Sequence, residues 1–403
     1  MPDTLPSQVD AFRLAPLPEI HFARGAIDRL PALAARYGQR LLLVTGRHSF
    51  IASAHWPTLR SALAEQGLSW AQVSIDGEPS PRRVDEIVAA HRDAAIDAVV
   101  AIGGGSALDA AKAIAGLLRA GTSAMDHLEG VGRGLPYAGP AVPLIAVPTT
   151  AGTGSEATRN AVLSESGPDG FKKSFRDDQL IAKVALVDPD LLVGCPANQL
   201  AANAMDAFTQ LLESYVSTGA SPPTDALAWS GMEAFHQAAW ALLEEDTSRA
   251  AEGYPGLAYA SLMSGITLAQ AGLGSVHGLA SPLGALFPIP HGMVCGTLLA
   301  EATAMNIAAL RERGEGREVL AKYARVGRLL ADSPELDEPA ACDALVATLR
   351  DWTHRLGMPR LGEFGMTRDD LARVVAGARG GSMRTNPLVL SDDELTTLLA
   401  SRL

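Results

Sequence analysis

Cysteine is scarce in this 403-residue sequence, with Cys195, Cys295 and Cys342 far apart and no CxxC pair. That excludes a disulfide scaffold and a cysteine-rich zinc module, and it suits a reducing compartment. Basic residues are also short: 33 Lys and Arg against 45 Asp and Glu give a net charge of −12. With no Lys/Arg run, a nucleic-acid partner is not expected, because such binders carry a basic face. Residues 253–300 contain no Asp, Glu, Lys or Arg. A membrane-spanning helix needs ~20 mostly apolar residues in one run. This stretch is broken by Gln270, by Gly265, Gly272, Gly274 and Gly278, and by Pro282, Pro288 and Pro290. It reads as the buried centre of a domain, and no membrane association is expected. The opening MPDTLPSQVDAFRLAP has neither a basic n-region nor an apolar h-region. No secretory signal is therefore expected, and a cytoplasmic location is. The remainder is ordinary: 47% apolar and 19% charged residues suit a globular chain, and the length suits two to three domains at ~150 residues each.

The first half alternates short apolar runs with helical patterns. Strands are predicted at 40–45 (RLLLVT), 70–75, 97–102 (DAVVAI), 143–147 (PLIAV) and 184–187. Helices are predicted at 56–65, 82–93 and 107–118, with a turn-like DPDLL at 188–192. Strands alternating with helices of this length indicate βαβ units and a parallel sheet. After about residue 195 only helical windows stand out, at 198–216, 224–244, 257–271, 293–306, 317–330 and 339–356. The expected organisation is an α/β domain over 1–192 followed by an all-α domain over 193–403.

Three motifs carry chemistry. In AIGGGSALDAAKAIA (101–115) a strand ends, three glycines turn, and Ser106 opens a helix. Glycines let a ligand approach the backbone, and a helix N-terminus offers free N–H groups to a phosphate. A tight strand-to-helix turn explains the motif equally well, and it is not a GxGxxG fingerprint. In VPTTAGTGSEATRNAVL (147–163), Thr149, Thr150, Thr153 and Ser155 crowd beside Gly152 and Gly154. Such a loop can hold a pyrophosphate, a ribose or a carboxamide, or it can simply cap its own turns. Two such loops at strand ends of one parallel sheet favour ligand binding. Third, Asp206 and Gln210 share a helix face at i and i+4, while His277 and His291 lie in the uncharged stretch, each beside a glycine. A divalent metal would partner these imidazoles; backbone-bonded core histidines are the alternative.

In order and spacing, GGGS at 103–106, PTTAGTGSE at 148–156, the Asp206 helix, His277 and PHG at 290–292 resemble the iron-containing (group III) alcohol dehydrogenase family. The resemblance implies an N-terminal Rossmann-like α/β domain with a parallel sheet plus an all-α C-terminal domain, the dehydroquinate synthase-like fold, with the site in the cleft. It implies a nicotinamide cofactor on Gly104, Gly105, Ser106, Asp109, Thr149, Thr150 and Thr153, with Lys172 nearby. It further implies one divalent metal, Fe²⁺ or Zn²⁺, on Asp206, Gln210, His277 and His291, of which Asp206, His277 and His291 would be catalytic. The partner would be a small alcohol or aldehyde, and the assembly a homo-oligomer such as a dimer.

Three positions depart from the family pattern. Gln210 stands where most members carry histidine, and a similar branch of the family carries glutamine there. An amide oxygen is a poorer donor to Fe²⁺ or Zn²⁺ than an imidazole nitrogen, so metal affinity should fall. Ser281 stands where many members have a further active-site histidine, so water, the cofactor ribose or Ser281 would have to carry the proton. Gly46 stands where NAD-preferring members usually have aspartate, and Arg47, His48 and Ser49 follow it. Without a carboxylate to repel a 2′-phosphate, and with donors at Arg47 and Ser49, NADP(H) is expected over NAD(H). The expected reaction is reversible, metal-assisted hydride transfer between the nicotinamide and a carbonyl carbon, in a pocket lined in part by Phe287 and Met293. Two rival readings stay open on the residues: a dehydroquinate synthase-type lyase, and a metal-free, non-catalytic cofactor-binding homologue.

Overall fold

The computed structural model describes residues 11–167, 170–244 and 249–403. Its strands are β1 (Glu19–Phe22), β2 (Arg40–Gly46), β3 (Ser69–Ile75), β4 (Ala98–Gly103), β5 (Leu144–Pro148), β6 (Asn160–Glu165), β7 (Phe171–Arg176) and β8 (Val184–Val187). Six of them form one parallel sheet in the order β1-β8-β5-β4-β2-β3. Strands β4, β5 and β8 are buried along their whole length. A parallel sheet covered on both faces reads as continuous apolar runs, and for that reason these strands were visible in the sequence. Successive β2 residues serve opposite layers. Leu42 and Val44 pack with Val84, Leu108 and Ile114, whereas Leu41 and Leu43 pack with Leu30, Leu59 and Leu63.

Three strands were not predicted. β1 is a four-residue edge strand, EIHF, and lacks an apolar run. β6 and β7 pair antiparallel as a separate hairpin. Its second strand, FKKSFR, is mostly polar and shows no apolar run, although Phe175 is buried in the core.

The topology places a binding crevice. From β2 the chain runs outward to β3, then crosses back to β4 on the other side of β2, and continues to β5. Ligands of doubly wound sheets bind beyond the carboxyl ends of strands where the order reverses. Here Gly46 and Gly103 end the two diverging strands, and a Cβ on Gly103 would lie 3.1 Å from Gly46 N.

Among the described residues, everything after β8 is helical or irregular. The predicted windows correspond to Ala197–Val216, Pro222–Ala238 with Trp240–Leu243, Ala250–Ala271, His291–Arg313, Arg317–Leu330 and Glu338–Arg355. A further helix, Ser275–Leu286, was not predicted, since its glycines and Pro282 read as breakers. Tertiary burial overrides that local signal: Val276, Leu279, Ala280 and Leu283 join the helical core. The helix His291–Arg313 is long and apolar enough to cross a membrane, but 72% of its most apolar window is buried inside the protein, as in a core helix.

The sheet half and the helical half meet backbone to backbone. Gly154, in the loop after β5, has φ +57°, and a Cβ there would lie 2.4 Å from Ser261 O and 2.5 Å from Gly265 Cα. A Cβ on Gly265 would in turn lie 2.0 Å from Gly154 O. Alanine favours a helix over glycine by about 1 kcal/mol, whereas overpacking a tight contact costs about 1–3 kcal/mol. Gly265→Ala should therefore lower the melting temperature despite its better helix propensity. A thermal melt checks this, and a stabilised variant would contradict the contact.

Candidate active site

The cofactor-side residues converge at the ends of β2, β4 and β5. The helix Gly105–Leu117 starts immediately after β4, with Gly104 at its N-cap and no side chain capping its first turn. Its free N–H groups and positive dipole end are what a phosphate requires. The loop after β5 closes over this turn. Thr149 N–H donates to Gly103 O at 3.0 Å. A Cβ on Gly104 would lie 3.2 Å from Thr150 Cγ2, and one on Gly105 would lie 2.8 Å from Thr153 Oγ1. Ser106, Thr149, Thr150 and Thr153 are half-buried at this seam.

Asp109 faces the second loop. Its carboxylate accepts from Ser155 Oγ, from Val162 N–H at 3.2 Å and from Lys112 Nζ at 3.3 Å. Lys112, fully buried, also donates to Ser155 Oγ, Thr158 Oγ1 and Asn160 O at 2.7–2.8 Å. Asp109 and Lys112 thus hold the Thr/Ser loop against the glycine turn. Lys112 was missed from sequence, though its spacing of i+3 from Asp109 on an otherwise apolar helix was a usable signal.

Gly46 is open, with no atom within 4 Å of where a Cβ would sit. Arg47, His48 and Ser49 beside it are exposed, and Arg47 forms an ion pair with Asp76. A groove of about 320 Å³ runs past Arg47, Asp76, Ser80 and Arg83. Lys172 lies on β7 with its Nζ 3.1 Å from Glu78 Oε2. Burial works against the charge on Glu78, but Lys172 beside it keeps the carboxyl below its ordinary pKa. Ser281 Oγ donates to Lys172 O at 3.1 Å, which ties the hairpin to the helix that carries His277.

The helical half brings the metal candidates together. Asp206 and Gln210, each 2% exposed, lie on Ala197–Val216. His277 comes from Ser275–Leu286, and His291 opens His291–Arg313. His277 Nε2 is 3.2 Å and His291 Nε2 is 3.7 Å from Asp206 Oδ1. Cys295, one turn after His291, completes a group of four whose ligand atoms lie within 4.8 Å of one another. Glu213 was also missed: it accepts from His277 Nδ1–H and from Val276 N–H, both at 2.7 Å. Such a partner fixes the ring and directs Nε2 inward. The signals were there, with Glu213 at i+7 from Asp206 on the same helix face and Cys295 at i+4 from His291.

The electrostatics ask for a cation. His277 has carboxyl oxygens on both ring nitrogens; burial opposes a charge there, yet Cys295, Asp206 and Glu213 outweigh it and raise its pKa well above normal. Burial would also raise Asp206, but His291 and His277 hold it well below the carboxylate range. Burial pushes His291 down to about 4, which leaves a neutral imidazole with a lone pair for a metal. Gln210 Oε1 and His291 Nδ1 are buried with no hydrogen-bond partner. A carboxylate, two imidazoles and a thiol within ligand reach of one another fit a divalent ion.

The two halves of the site adjoin. A Cβ on Gly152, in the Thr/Ser loop, would lie 3.0 Å from Asn203 Cβ, and Asn203 precedes Asp206 by one turn.

Comparison with known proteins gives the family and agrees with the fold. Residues 18–189 match the family model for iron-containing alcohol dehydrogenase, and residues 200–403 match the model for the C-terminal part of that family. A 4-hydroxybutyrate dehydrogenase from Cupriavidus necator is 35% identical over 90% of this chain and 92% of its own. A crystal structure of 1,3-propanediol oxidoreductase superposes with a TM-score of 0.86, at 26% identity, over 98% of this chain and 100% of that one. A sulfoacetaldehyde reductase from Bifidobacterium kashiwanohense, solved with NAD⁺, superposes with a TM-score of 0.83, at 26% identity, over 98% and 99%. Family models that together reach from residue 18 to residue 403, and a relative aligned over nine-tenths of the chain, make this protein a member of the iron-containing alcohol dehydrogenase family.

Proposed function

We propose that the protein transfers a hydride reversibly between NADP(H) and a small alcohol or aldehyde, with residues 1–192 binding the dinucleotide and residues 193–403 binding metal and substrate. The observation that carries this reading is the largely buried Asp206–His277–His291 cluster, one helical turn from the residue against which the Thr/Ser loop packs. When bound, a divalent ion supplies polarisation of the substrate oxygen and the nicotinamide supplies or accepts the hydride.

The chain's own residues do the rest. N–H groups at Gly104, Gly105 and Ser106 receive the pyrophosphate, and Thr149, Thr150 and Thr153 border the bound cofactor. Asp109 and Lys112 hold that loop in place. Asp206, His277 and His291 hold the ion, with Gln210 beside them, and Glu213 orients His277. Phe287 and Met293, both half-buried against the helical core, provide apolar walls that exclude water and strengthen the electrostatics inside. Ser281 already donates its hydroxyl proton to Lys172 O, so its support is for the hairpin and for Lys172 at the cleft. The related proteins act, by their names, on 4-hydroxybutyrate, 1,3-propanediol and sulfoacetaldehyde, so short substrates with one reacting oxygen suit this pocket.

The preference for NADP(H) rests on Gly46 and Arg47. An open Gly46 leaves room for a 2′-phosphate, and Arg47 can exchange its exposed pairing with Asp76 for the phosphate, a stronger charge-assisted partner.

Asp206→Ala and His291→Ala should each cut kcat/KM by at least ~10²–10³, the range lost with a key electrostatic stabiliser. NADPH binding, read by nucleotide fluorescence, should survive in both variants. Active variants would overturn the metal-site assignment. In steady-state assays kcat/KM should be higher with NADPH than with NADH. Arg47→Ala should lower the NADPH value by about tenfold, the scale of one lost charged hydrogen bond, and leave the NADH value nearly unchanged. A strong NADH preference in the wild type would overturn the cofactor assignment.

A further inference from the structure

Cys295 has no place in the reaction as described so far, yet it is fully buried at the centre of the site. Its Sγ is 3.7 Å from His277 Nε2 and 3.9 Å from His291 Nε2. Asp206 Oδ1 closes the figure at 3.2 Å and 3.7 Å from the same two nitrogens. A tetrahedral ion with bonds of about 2.0–2.3 Å sets its ligand atoms about 3.3–3.7 Å apart. The four spacings lie within a few tenths of an ångström of that. The other two cysteines are elsewhere: Cys195 is half-buried just after β8, and the Cys342 thiol donates to Leu320 O.

A second observation bears on the same place. Gln210 is nine-tenths buried and more, and its Oε1 has no partner. An amide oxygen is a weak donor to a transition metal, whereas a thiolate is a strong, soft one. Beside Asp206 and the two imidazoles, sulfur is therefore the better fourth donor than the amide.

We propose that Cys295 is the fourth protein ligand of the metal, bound as a thiolate beside Asp206, His277 and His291, and that this donor set favours Zn²⁺ over Fe²⁺. The inference rests on the metal-site reading above. Binding breaks the S–H bond heterolytically: the proton leaves to solvent, the electron pair stays on sulfur and forms the bond to the metal, and nothing is oxidised. Gln210 then lies outside the inner ligand set. With four protein ligands, a substrate oxygen would be accommodated as a fifth, an expansion that catalytic zinc tolerates.

The test uses the full-length protein, stripped with a chelator under reducing conditions and reloaded with Co²⁺ or Zn²⁺ alone. One equivalent of Co²⁺ should bind and give a thiolate-to-cobalt charge-transfer band in the near ultraviolet. The band should persist in Cys195→Ser/Cys342→Ser and vanish in Cys295→Ser, whose metal affinity should fall by about tenfold or more, at least the loss seen when an outer partner of a ligand is removed. X-ray absorption of the Zn²⁺-loaded wild type needs no variant and should show one scatterer at about 2.3 Å, the zinc–sulfur distance. One equivalent of metal with no sulfur signature would overturn the role of Cys295 and leave the metal site standing. Failure of the wild type to bind metal, or binding that Asp206→Ala leaves unchanged, would overturn both.

Discussion

Everything in the site hangs on a contact that has no side chains in it. Gly154 and Gly265 bring a sheet-half loop and a helical-half helix together at a distance any Cβ would prevent. The same loop carries Thr149, Thr150 and Thr153 toward the glycine turn at one end and presses Gly152 on Asn203 at the other. Because protein interiors are close-packed and stiff, fixing this loop fixes the separation between the dinucleotide cradle and Asp206. Lys112 does the complementary work from below, tying Ser155, Thr158 and Asn160 to the helix that starts at the cradle.

The helical side poses an electrostatic problem that a bound cation would solve. Two carboxyl groups, two imidazoles and a thiol share a pocket from which water is largely excluded. Buried charges are costly unless paired and hydrogen-bonded. Glu213 and Asp206 grip His277 from opposite nitrogens, so that the ring is held as a positive charge or as a metal ligand. That arrangement contributes little to packing. It makes sense as the place where charge must be stabilised on a substrate oxygen. The uncharged run from 253 to 300 supplies His277, His291 and Cys295, and its Val276, Leu279 and Val294 join the apolar core beside them, where a lower dielectric strengthens each interaction.

Much of this was legible in the sequence, for physical reasons. Strands buried on both faces announce themselves as apolar runs, and glycine-rich strand ends announce close backbone approach. Asp206 and Gln210, spaced to share a face, pointed to the cluster. What stayed hidden depends on contacts between distant segments. The β6–β7 hairpin has a mixed pattern, and its Ala161, Leu163 and Phe175 reach the core only once the two strands pair. The helix Ser275–Leu286 tolerates Pro282 and its glycines because neighbouring elements bury it. The role of Lys112 depends on Ser155, Thr158 and Asn160, more than forty residues away in the chain. Glu213 and Cys295 had the spacing of site residues, but the spacing gains meaning only once His277 is seen to face both.

Elemental analysis of the protein, expressed and purified with no metal added, tests the central claim most directly. One equivalent of a divalent transition metal per chain, in a preparation that reduces a short aldehyde, is the predicted result. Full activity in a preparation free of such metal would contradict the account.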